Sequence, residues 1–311
     1  MKVLITGGSG FIGSHLVEKM ISEGFDVRIL DQQKKLDNIK NLLPNPRIEF
    51  VEGDIRNYDA CKKAVNGCDF VSHLAALISV DHSIQEPRPF WDVNVGGTFN
   101  LIDASLNAKI KRFQYMSSCE MLGHIEYPNK ATENWPTYIP RSPYAASKLA
   151  AETYCNSYHI TYDFPVVITR AFNVFGPKQN PGSRGAVIAK FITTILQNQV
   201  PTIYGDGEQS RDWTFVKDIV DGIFKAINSD RTEGETIHLC SGIDRKVKDI
   251  AEKVIEICGK NGKIKPVFIK ERSGELRRSC GDYTKAKKLI NWEPKVKFED
   301  GLKLTLEYFK S

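Results

Sequence analysis

The fold is decided by a segment near the amino terminus, Val3-Leu4-Ile5-Thr6-Gly7-Gly8-Ser9-Gly10-Phe11-Ile12-Gly13. A short apolar run predicts a strand, the glycines predict a tight turn, and an amphipathic pattern over about 11–23 predicts a helix. Glycines at such a turn let a pyrophosphate approach the backbone, and the helix N-terminus supplies unpaired N–H groups. We therefore interpret the turn as a phosphate-binding loop with the contact residues Gly7, Gly10, Phe11, Ile12 and Gly13.

A second signal follows about 20 residues later, where Asp31 closes the next predicted strand, 27–30. A carboxylate there is placed to accept a hydrogen bond from a ribose 2′-hydroxyl and would repel a 2′-phosphate, which favours NAD over NADP. Lys34 and Lys35 weaken that preference because they lie close behind. The pair Asp54-Ile55, after the third predicted strand, has two interpretations: an adenine contact or a helix N-cap.

Strand and helix patterns alternate through the first half of the chain. Strands are predicted at 3–5, 27–30, 48–51, 70–71, 112–116 and 166–169. Their alternation with helix-length segments predicts an α/β fold with a Rossmann-type, doubly wound parallel sheet. After residue 172 a segment rich in Gly, Pro and Asn, 173–182, is predicted to be a loop; helical patterns at 185–198, 216–228, 246–259 and 299–310 and a strand at 236–239 follow.

These patterns predict two parts that interleave along the chain. Residues 1–172 plus 212–240 are expected to form an NAD-binding Rossmann domain. Residues 173–211 plus 241–311 are expected to form a smaller, mixed α/β substrate-binding region, packed against the first part so that the two shape a cleft.

Composition excludes several classes of protein. The 311 residues carry a formal charge of only +5, spread over the chain, without the basic stripe and interleaved aromatics of a nucleic-acid binder. The seven cysteines form no CxxC pair and the six histidines lack ligand spacing, so no metal site is expected. No apolar stretch approaches the roughly 20 residues of a membrane span, and we expect a cytoplasmic protein without a membrane anchor.

A chemically suggestive pair lies in Ser142-Pro143-Tyr144-Ala145-Ala146-Ser147-Lys148. A four-residue spacing places Tyr144 and Lys148 on one face of a helix. An ammonium beside a phenol lowers the phenol's pKa towards a value useful for proton abstraction.

With this pair and the glycine loop together, the chain resembles the extended short-chain dehydrogenase/reductase family, and within it the nucleotide-sugar epimerases and dehydratases. The motifs that carry the resemblance span almost the whole chain: Gly7 to Gly13, Asp54, His73-Leu74-Ala75-Ala76, Asn94 to Thr98, Ser117-Ser118, Tyr144 with Lys148, Arg170 to Asn173, Tyr204 to Gly207 and Arg211-Asp212. The resemblance implies tightly held NAD, with Leu74, Ala75, Ala76 and Asn94 as further cofactor contacts.

The resemblance also implies roles for individual side chains. Tyr144 would take the proton from a sugar hydroxyl, usually at C4, while Lys148 holds the nicotinamide ribose and Ser118 hydrogen-bonds the same hydroxyl. Glu120 matches the glutamate that removes the C5 proton in dehydratases. Cys119 stands where 4,6-dehydratases commonly have Asp; a thiol, with a pKa near 8.5, is mostly protonated at neutral pH. Cys119 is therefore either a proton donor or a packed core residue.

At the other end of the substrate, Asn173, Arg211 and Arg272 match family residues that bind the diphosphate of a nucleoside-diphosphate sugar, since guanidinium groups suit phosphate oxygens. Arg277 and Arg278 compete with Arg272 for that role. Trp213 and Trp292 are expected to be core aromatics. The family also implies a homodimer formed by helices near 88–107 and 142–163, where Phe99, Leu101 and Ile102 either serve the interface or pack within the chain.

The sequence thus predicts an NAD-dependent nucleotide-sugar dehydratase in the synthesis of polysaccharide or glycan precursors. A 4,6-elimination is favoured, and a 5,6-elimination is compatible with the Ser-x-Cys-Glu arrangement at 117–120. The alternatives are a C4 epimerase, a C4 dehydrogenase and a UDP-glucuronate decarboxylase. A regulator that only senses NAD is a further alternative, but it would not need the intact set of Ser118, Tyr144 and Lys148.

Overall fold

The computed structural model describes residues 1–32, 36–137, 140–182, 186–271 and 276–310. The strands of this part of the chain are β1 (Lys2–Thr6), β2 (Asp26–Asp31), β3 (Ile48–Glu52), β4 (Phe70–His73), β5 (Arg112–Ser118), β6 (Val166–Ala171), β7 (Asn173–Phe175), β8 (Thr202–Tyr204), β9 (Ser210–Phe215), β10 (Thr236–Leu239), β11 (Asp244–Lys246), β12 (Val267–Ile269) and β13 (Arg278–Ser279).

The α-helices are α1 (Phe11–Ser22), α2 (Tyr58–Val65), α3 (Val80–Gln85), α4 (Pro87–Phe90), α5 (Thr98–Asn107), α6 (Pro143–Tyr162), α7 (Val187–Leu196), α8 (Val216–Ile227), α9 (Val247–Ile257), α10 (Thr284–Ile290) and α11 (Phe298–Lys310). A π-helical segment, Trp91–Gly97, joins α4 to α5, and short 3₁₀ turns cover Cys119–Leu122 and Asp230–Thr232.

Seven strands form one parallel sheet in the order β10-β6-β5-β4-β1-β2-β3. All six strands predicted from the first half of the sequence belong to it, and the predicted strand at 236–239 is β10, paired with β6 at the edge. The Rossmann-type α/β prediction is therefore confirmed.

Both faces of this sheet are covered, as is usual for a parallel sheet whose strands are joined by helices. On β1, Val3 and Ile5 point to one face and pack in a cluster with α1 and α8. Leu4 points to the opposite face and packs in a cluster with α2, α5 and α6. Successive side chains of a single strand therefore pack into two separate cores, one on each face of the sheet.

The second half of the chain adds smaller sheets. β9 pairs with β7 and β13 in parallel and with β11 in antiparallel orientation, while β8 pairs with β12. The predicted loop at 173–182 therefore begins with a strand, β7, because β9 offers it a buried edge. Sequence patterns did not predict β9, since its residues are buried throughout and show no alternation.

Two interface candidates prove to be core residues. Leu101 and Ile102 on α5 are fully buried within the chain, packed against the sheet, whereas Phe99 is 42% exposed. Of the two alternatives for Leu101 and Ile102, the structure therefore shows packing within the chain and not an interface role, because both lie in the cluster with Leu4 of β1 and Val71 of β4. Trp213 and Trp292 are buried, as predicted.

The chain order within the sheet creates the site. From β1 the chain moves outward to β2 and β3, then returns to β4 on the other side of β1. The loops that leave the carboxyl ends of β1 and β4 therefore diverge, and ligands of open parallel sheets bind at such a point. Across the described segments, no helix has both the length and the apolar character to cross a membrane.

Candidate active site

A cleft of about 800 Å³ lies at the carboxyl ends of the central strands. Nearly all of the predicted site residues that the structure describes line it: Gly7, Gly10, Phe11, Ile12, Gly13, Asp31, Asp54, Ile55, Leu74, Ala75, Ala76, Ser118, Cys119, Glu120, Tyr144, Lys148, Asn173 and Arg211. One continuous cleft thus joins the glycine loop to the Tyr-Lys pair.

The glycine loop leaves room that any side chain would fill. Gly7 has a φ of +71°, and a Cβ atom on it would lie 2.9 Å from the backbone nitrogen of Ala75. A Cβ on Gly13 would lie 2.1 Å from the carbonyl oxygen of Gly7. Gly10, which precedes α1, has no side chain to cap the helix. This backbone cradle at a helix N-terminus fits the pyrophosphate of a dinucleotide.

Asp31 lies beside this loop at the end of β2. Its Oδ2 atom accepts a hydrogen bond from the backbone nitrogen of Ser9 at 3.0 Å, and Oδ1 accepts one from the backbone of Gln32 at 2.8 Å. The carboxylate therefore braces the loop and faces the cleft, where a ribose hydroxyl can donate to it. Lys34 and Lys35 lie outside the described residues.

The two interpretations of Asp54 can now be separated. The N-cap of α2 is Asn57, whose side chain accepts from the backbone of Ala60 at 3.1 Å, so Asp54 is not the cap. Asp54 lines the cleft and binds Arg56 and Gln32. The hydrogen bond from Arg56 lowers the pKa of Asp54, which keeps it ionised.

Tyr144 and Ser118 converge on one point in the cleft. Ser118 ends β5, and Tyr144 lies in the first turn of α6, a helix with Ser142 as N-cap and Pro143 at its first position. Burial raises the pKa of Tyr144, a hydrogen bond from Ser118 lowers it, and Glu120 and Cys119 raise it. The phenol is thus held beside a hydroxyl, in a position to exchange a proton with a substrate oxygen.

Lys148 is one helical turn further along α6. Its ammonium donates to the carbonyl oxygen of Met116 at 2.6 Å and lies 4.5 Å from the centre of the Tyr115 ring. Burial lowers the pKa of Lys148 to about 8. Lys148 is not among the groups that shift the pKa of Tyr144, so the expected lowering of the phenol's pKa by this ammonium is not seen in this structure.

Glu120 and Cys119 share the short turn that follows β5. The backbone nitrogen of Glu120 donates to the Ser118 hydroxyl at 3.2 Å, which fixes the carboxylate next to the Ser118–Tyr144 pair. Cys119 is 4% exposed, and Ser279 donates a hydrogen bond to its sulfur. Burial raises the pKa of Cys119, so it remains a protonated thiol at the wall of the cleft.

Asn94 differs from the other predicted cofactor contacts. Its Oδ1 atom accepts a hydrogen bond from the backbone nitrogen of Leu77 at 2.8 Å. Its Nδ2 atom donates to the carbonyl oxygen of Leu77 and to the Ser147 hydroxyl, both at 2.9 Å. Asn94 is buried and is not part of the cleft lining. It therefore supports the Leu77 segment, which does line the cleft, from behind.

At the far end of the cleft, Arg211 and Asn173 come from adjacent strands, β9 and β7. The buried Arg211 donates to the carbonyl oxygen of Ser210 at 2.9 Å. Arg272 lies outside the described residues. Its two competitors have other roles: Arg277 pairs with Asp206 on the surface, and Arg278 pairs with Asp244, and neither lines the cleft.

Sequence patterns missed several cleft residues in loops, among them Asn38, Lys178, Gln179 and Gln209. Loops carry no periodicity, so no pattern could have singled them out. Among the described residues, no group of three or more His, Cys, Asp or Glu side chains is placed to hold a metal ion.

Comparison with known proteins identifies the family. The family model described as GDP-mannose 4,6 dehydratase matches residues 4–305. The low-salt glycan biosynthesis protein Agl12 of Haloferax volcanii is 37% identical over 313 residues, covering 99% of this chain and 98% of that protein.

Two solved structures show the same fold. The UDP-glucose 4-epimerase of Thermotoga maritima, crystallised with UDP-glucose, is 33% identical, has a TM-score of 0.93 and covers 100% of this chain and 99% of its own. DesIV of Streptomyces venezuelae, a dTDP-glucose 4,6-dehydratase with NAD bound, is 31% identical and has a TM-score of 0.93. The match covers 100% of this chain and 97% of the DesIV chain. The chain belongs to the NAD-dependent nucleotide-sugar epimerase and dehydratase family of short-chain dehydrogenases/reductases, and its cofactor is NAD.

A first prediction concerns the glycine cradle. We expect Gly13→Ala to raise the dissociation constant for NAD about 100-fold, because the added methyl group displaces the Gly7 carbonyl from the phosphate loop. Isothermal titration calorimetry measures this constant. Gly96→Ala is the matched control, since the nearest atom to its Cβ would be 3.9 Å away. Wild-type affinity in Gly13→Ala would contradict the assignment of the loop.

A second prediction concerns the buried ammonium. Because its pKa falls from 10.5 to about 8 on folding, Lys148 destabilises the NAD-free protein below pH 8, and this penalty fades between pH 8 and 10.5 as the folded protein loses the proton first. We expect Lys148→Met to unfold with a free energy about 1–3 kcal/mol higher at pH 7. The gain should shrink towards pH 10.

Urea unfolding across this pH range measures both effects. Lys62→Met, which changes an exposed lysine paired with Asp59, is the control and should show no such pH dependence. The contrary result is a Lys148→Met variant that is less stable than wild type at pH 7, by an amount that does not vary with pH. That result would show that burial of the ammonium does not lower the free energy of unfolding.

Proposed function

We propose that this protein is an NAD-dependent nucleotide-sugar dehydratase that oxidises its substrate transiently at C4, removes the C5 proton and eliminates water. The observation that carries the proposal is the position of Glu120. Its carboxylate shares the cleft with Ser118 and Tyr144, on a turn tied to the Ser118 hydroxyl. A base beside the oxidation site serves an elimination, whereas epimerisation at C4 needs only the Ser-Tyr-Lys set.

The first half of the reaction requires a proton acceptor at the C4 hydroxyl. Bound NAD supplies a hydride acceptor and a positive charge on its nicotinamide, which favours the phenolate. Tyr144 then takes the hydroxyl proton while Ser118 holds the oxygen. Lys148, whose ammonium donates to the Met116 carbonyl, would hold the nicotinamide ribose.

The second half is the elimination. A ketone at C4 acidifies the C5 hydrogen, which Glu120 removes as a base. The C6 hydroxyl leaves as water when it receives a proton, and the protonated thiol of Cys119 lies next to Glu120 to supply it. Return of the hydride at C6 and of a proton at C5 completes a 4,6-dehydration. Return of the hydride to C4 instead of C6, before the product leaves, would give a 5,6-unsaturated sugar.

The substrate's diphosphate is assigned to the end of the cleft at Arg211 and Asn173, with Arg272 as a further predicted contact. In this proposal, residues 1–172 plus 212–240 bind NAD, and residues 173–211 plus 241–311 bind the nucleoside diphosphate. A cytoplasmic location stays a prediction.

A C4 epimerase is the second candidate. UDP-glucose 4-epimerases are as similar to this chain as the dehydratases are, and Cys119 replaces the aspartate common in 4,6-dehydratases. In that case Glu120 would have a role other than C5 deprotonation.

A third prediction separates these candidates. Incubation with UDP-, GDP-, CDP- and dTDP-sugars should yield a product lighter than its substrate by about 18 mass units, the mass of water. Glu120→Gln should lower the dehydration rate about 10²–10⁴-fold, the usual contribution of a general base. Absorbance in single-turnover experiments measures the reduction of NAD. Tyr144→Phe should abolish this reduction, whereas Glu120→Gln should still reduce NAD.

Glu126→Gln is the control, an exposed glutamate outside the cleft lining. Products of unchanged mass that differ only at C4 would establish the epimerase. Full dehydration by Glu120→Gln would overturn the role of this residue.

We also propose that the protein is a homodimer. Trp91 and Phe99, on the π-helical segment and α5, are 55% and 42% exposed and lie with Tyr154 of α6 around one shallow depression. Phe99 and Tyr154 contact each other edge to face, at 5.7 Å between ring centres. Exposed aromatic clusters of this kind are enriched at protein interfaces.

A fourth prediction follows from this cluster. The double variant Trp91→Glu with Phe99→Glu should weaken self-association at least about 30-fold, as removal of an interface hot spot does. Sedimentation equilibrium measures the change. Val200→Glu, at a residue 48% exposed away from these helices, is the control. A double variant that sediments like wild type would exclude this surface as the interface.

A further inference from the structure

Four side chains near the phosphate end of the cleft join segments that are far apart in sequence. His15 and Glu18 lie on α1, and Asn38 lies between β2 and β3. Lys178 lies in the loop 176–182 that follows β7. We call the four residues the clasp and the loop 176–182 the covering loop.

The centre of the clasp is an ion pair. The ammonium of Lys178 donates to Glu18 Oε1 at 2.6 Å and to the carbonyl oxygen of Asn38 at 3.0 Å. The Lys178 side chain is only 16% exposed, so solvent screens this pair less than an ordinary surface pair. Burial raises the pKa of Glu18, but its contacts with His15 and Lys178 outweigh this effect and lower the pKa to about 2.

The neighbouring residue of the covering loop is held as well. A hydrogen bond of 3.0 Å joins His15 Nε2 to the carbonyl oxygen of Pro177. His15 and Glu18 are three residues apart on α1, so one helix face holds Pro177 and Lys178 together. Lys178 has a φ of +67°, a conformation unfavourable for a residue with a side chain, and the contacts of that side chain offset it.

The clasp also reaches the glycine loop. The Asn38 amide donates to the carbonyl oxygen of Ser9 at 3.2 Å. Asn38, Lys178, Gln179 and Asn180 line the same cleft as residues 9–13. The covering loop and the phosphate loop are therefore two walls of the cofactor end of the cleft, and the clasp ties one wall to the other.

We propose that the clasp is the device that retains NAD: it holds the covering loop against α1, so that the cofactor leaves only when the Glu18–Lys178 pair opens. Retention matters for a reaction that returns its hydride, because the reduced cofactor must stay until the second transfer. The inference holds for dehydration and epimerisation alike, and its test does not depend on either activity.

The rate of NAD release tests the proposal. Protein loaded with NAD is mixed with excess fluorescent etheno-NAD, and the exchange is followed by the emission of the bound analogue. Glu18→Gln and Lys178→Asn should each release NAD about tenfold faster than wild type. Asparagine tolerates the left-handed conformation at 178, so the second variant removes the charge without added backbone strain. The swapped pair Glu18→Lys with Lys178→Glu should return the rate to within about twofold of wild type.

Glu23→Gln is the matched control. Glu23 follows α1, pairs with Lys19 and is as exposed as Glu18, at 40% against 41%, but the pair has no contact with the covering loop. Its release rate should equal that of wild type. Thermal unfolding verifies that each variant is folded.

Three results would overturn the proposal. One is unchanged release from both Glu18→Gln and Lys178→Asn. Another is an equal acceleration in Glu23→Gln, which would indicate a general loosening of α1. The third is slower release from Glu18→Gln, which would show that Lys178 binds the cofactor phosphate directly and that Glu18 competes with it.

Discussion

The contact on which the rest of the structure depends is the close approach between the first turn of α1 and the loop that precedes it. The Gly13 backbone lies so near the Gly7 carbonyl that no side chain fits between them. This contact sets the angle at which α1 leaves β1, and with it the packing of α1 against α8 on one face of the sheet. The same approach leaves the backbone of residues 7–13 open to a pyrophosphate. Fold and cofactor site therefore rest on one constraint.

The candidate catalytic groups Tyr144, Lys148 and Cys119 are almost wholly buried at the wall of the cleft, and burying the Lys148 ammonium has a cost in stability. Lys148 is buried against Met116 and Tyr115, and its pKa falls accordingly. Burial keeps the Tyr144 phenol and the Cys119 thiol protonated until a charged ligand changes their surroundings. A site held in this form gains its reactivity from the cofactor and substrate, since a phenolate formed in their absence would be unpaired.

The main sheet could be predicted almost completely, because its strands are short apolar runs separated by helix-length segments. β9 and its partners could not, since β7, β11 and β13 are two or three residues long and exist through pairing with distant residues. The position of Leu101 and Ile102 also depends on residues distant in sequence. An apolar pair on a helix shows that something covers it, and only the packing shows that the sheet does.

The sequence by itself determined the class of fold and the glycine loop, because glycine spacing and strand period are local properties, and its resemblance to the family supplied the candidate catalytic side chains. The tertiary structure alone decided which of these groups meet. Ser118 and Tyr144 come from a strand and a helix 26 positions apart and meet in the cleft only because α6 packs across the end of β5. It also decided that Asn94 supports the cleft from behind and that Lys178 reaches Glu18, since such contacts join residues with no shared pattern in the chain.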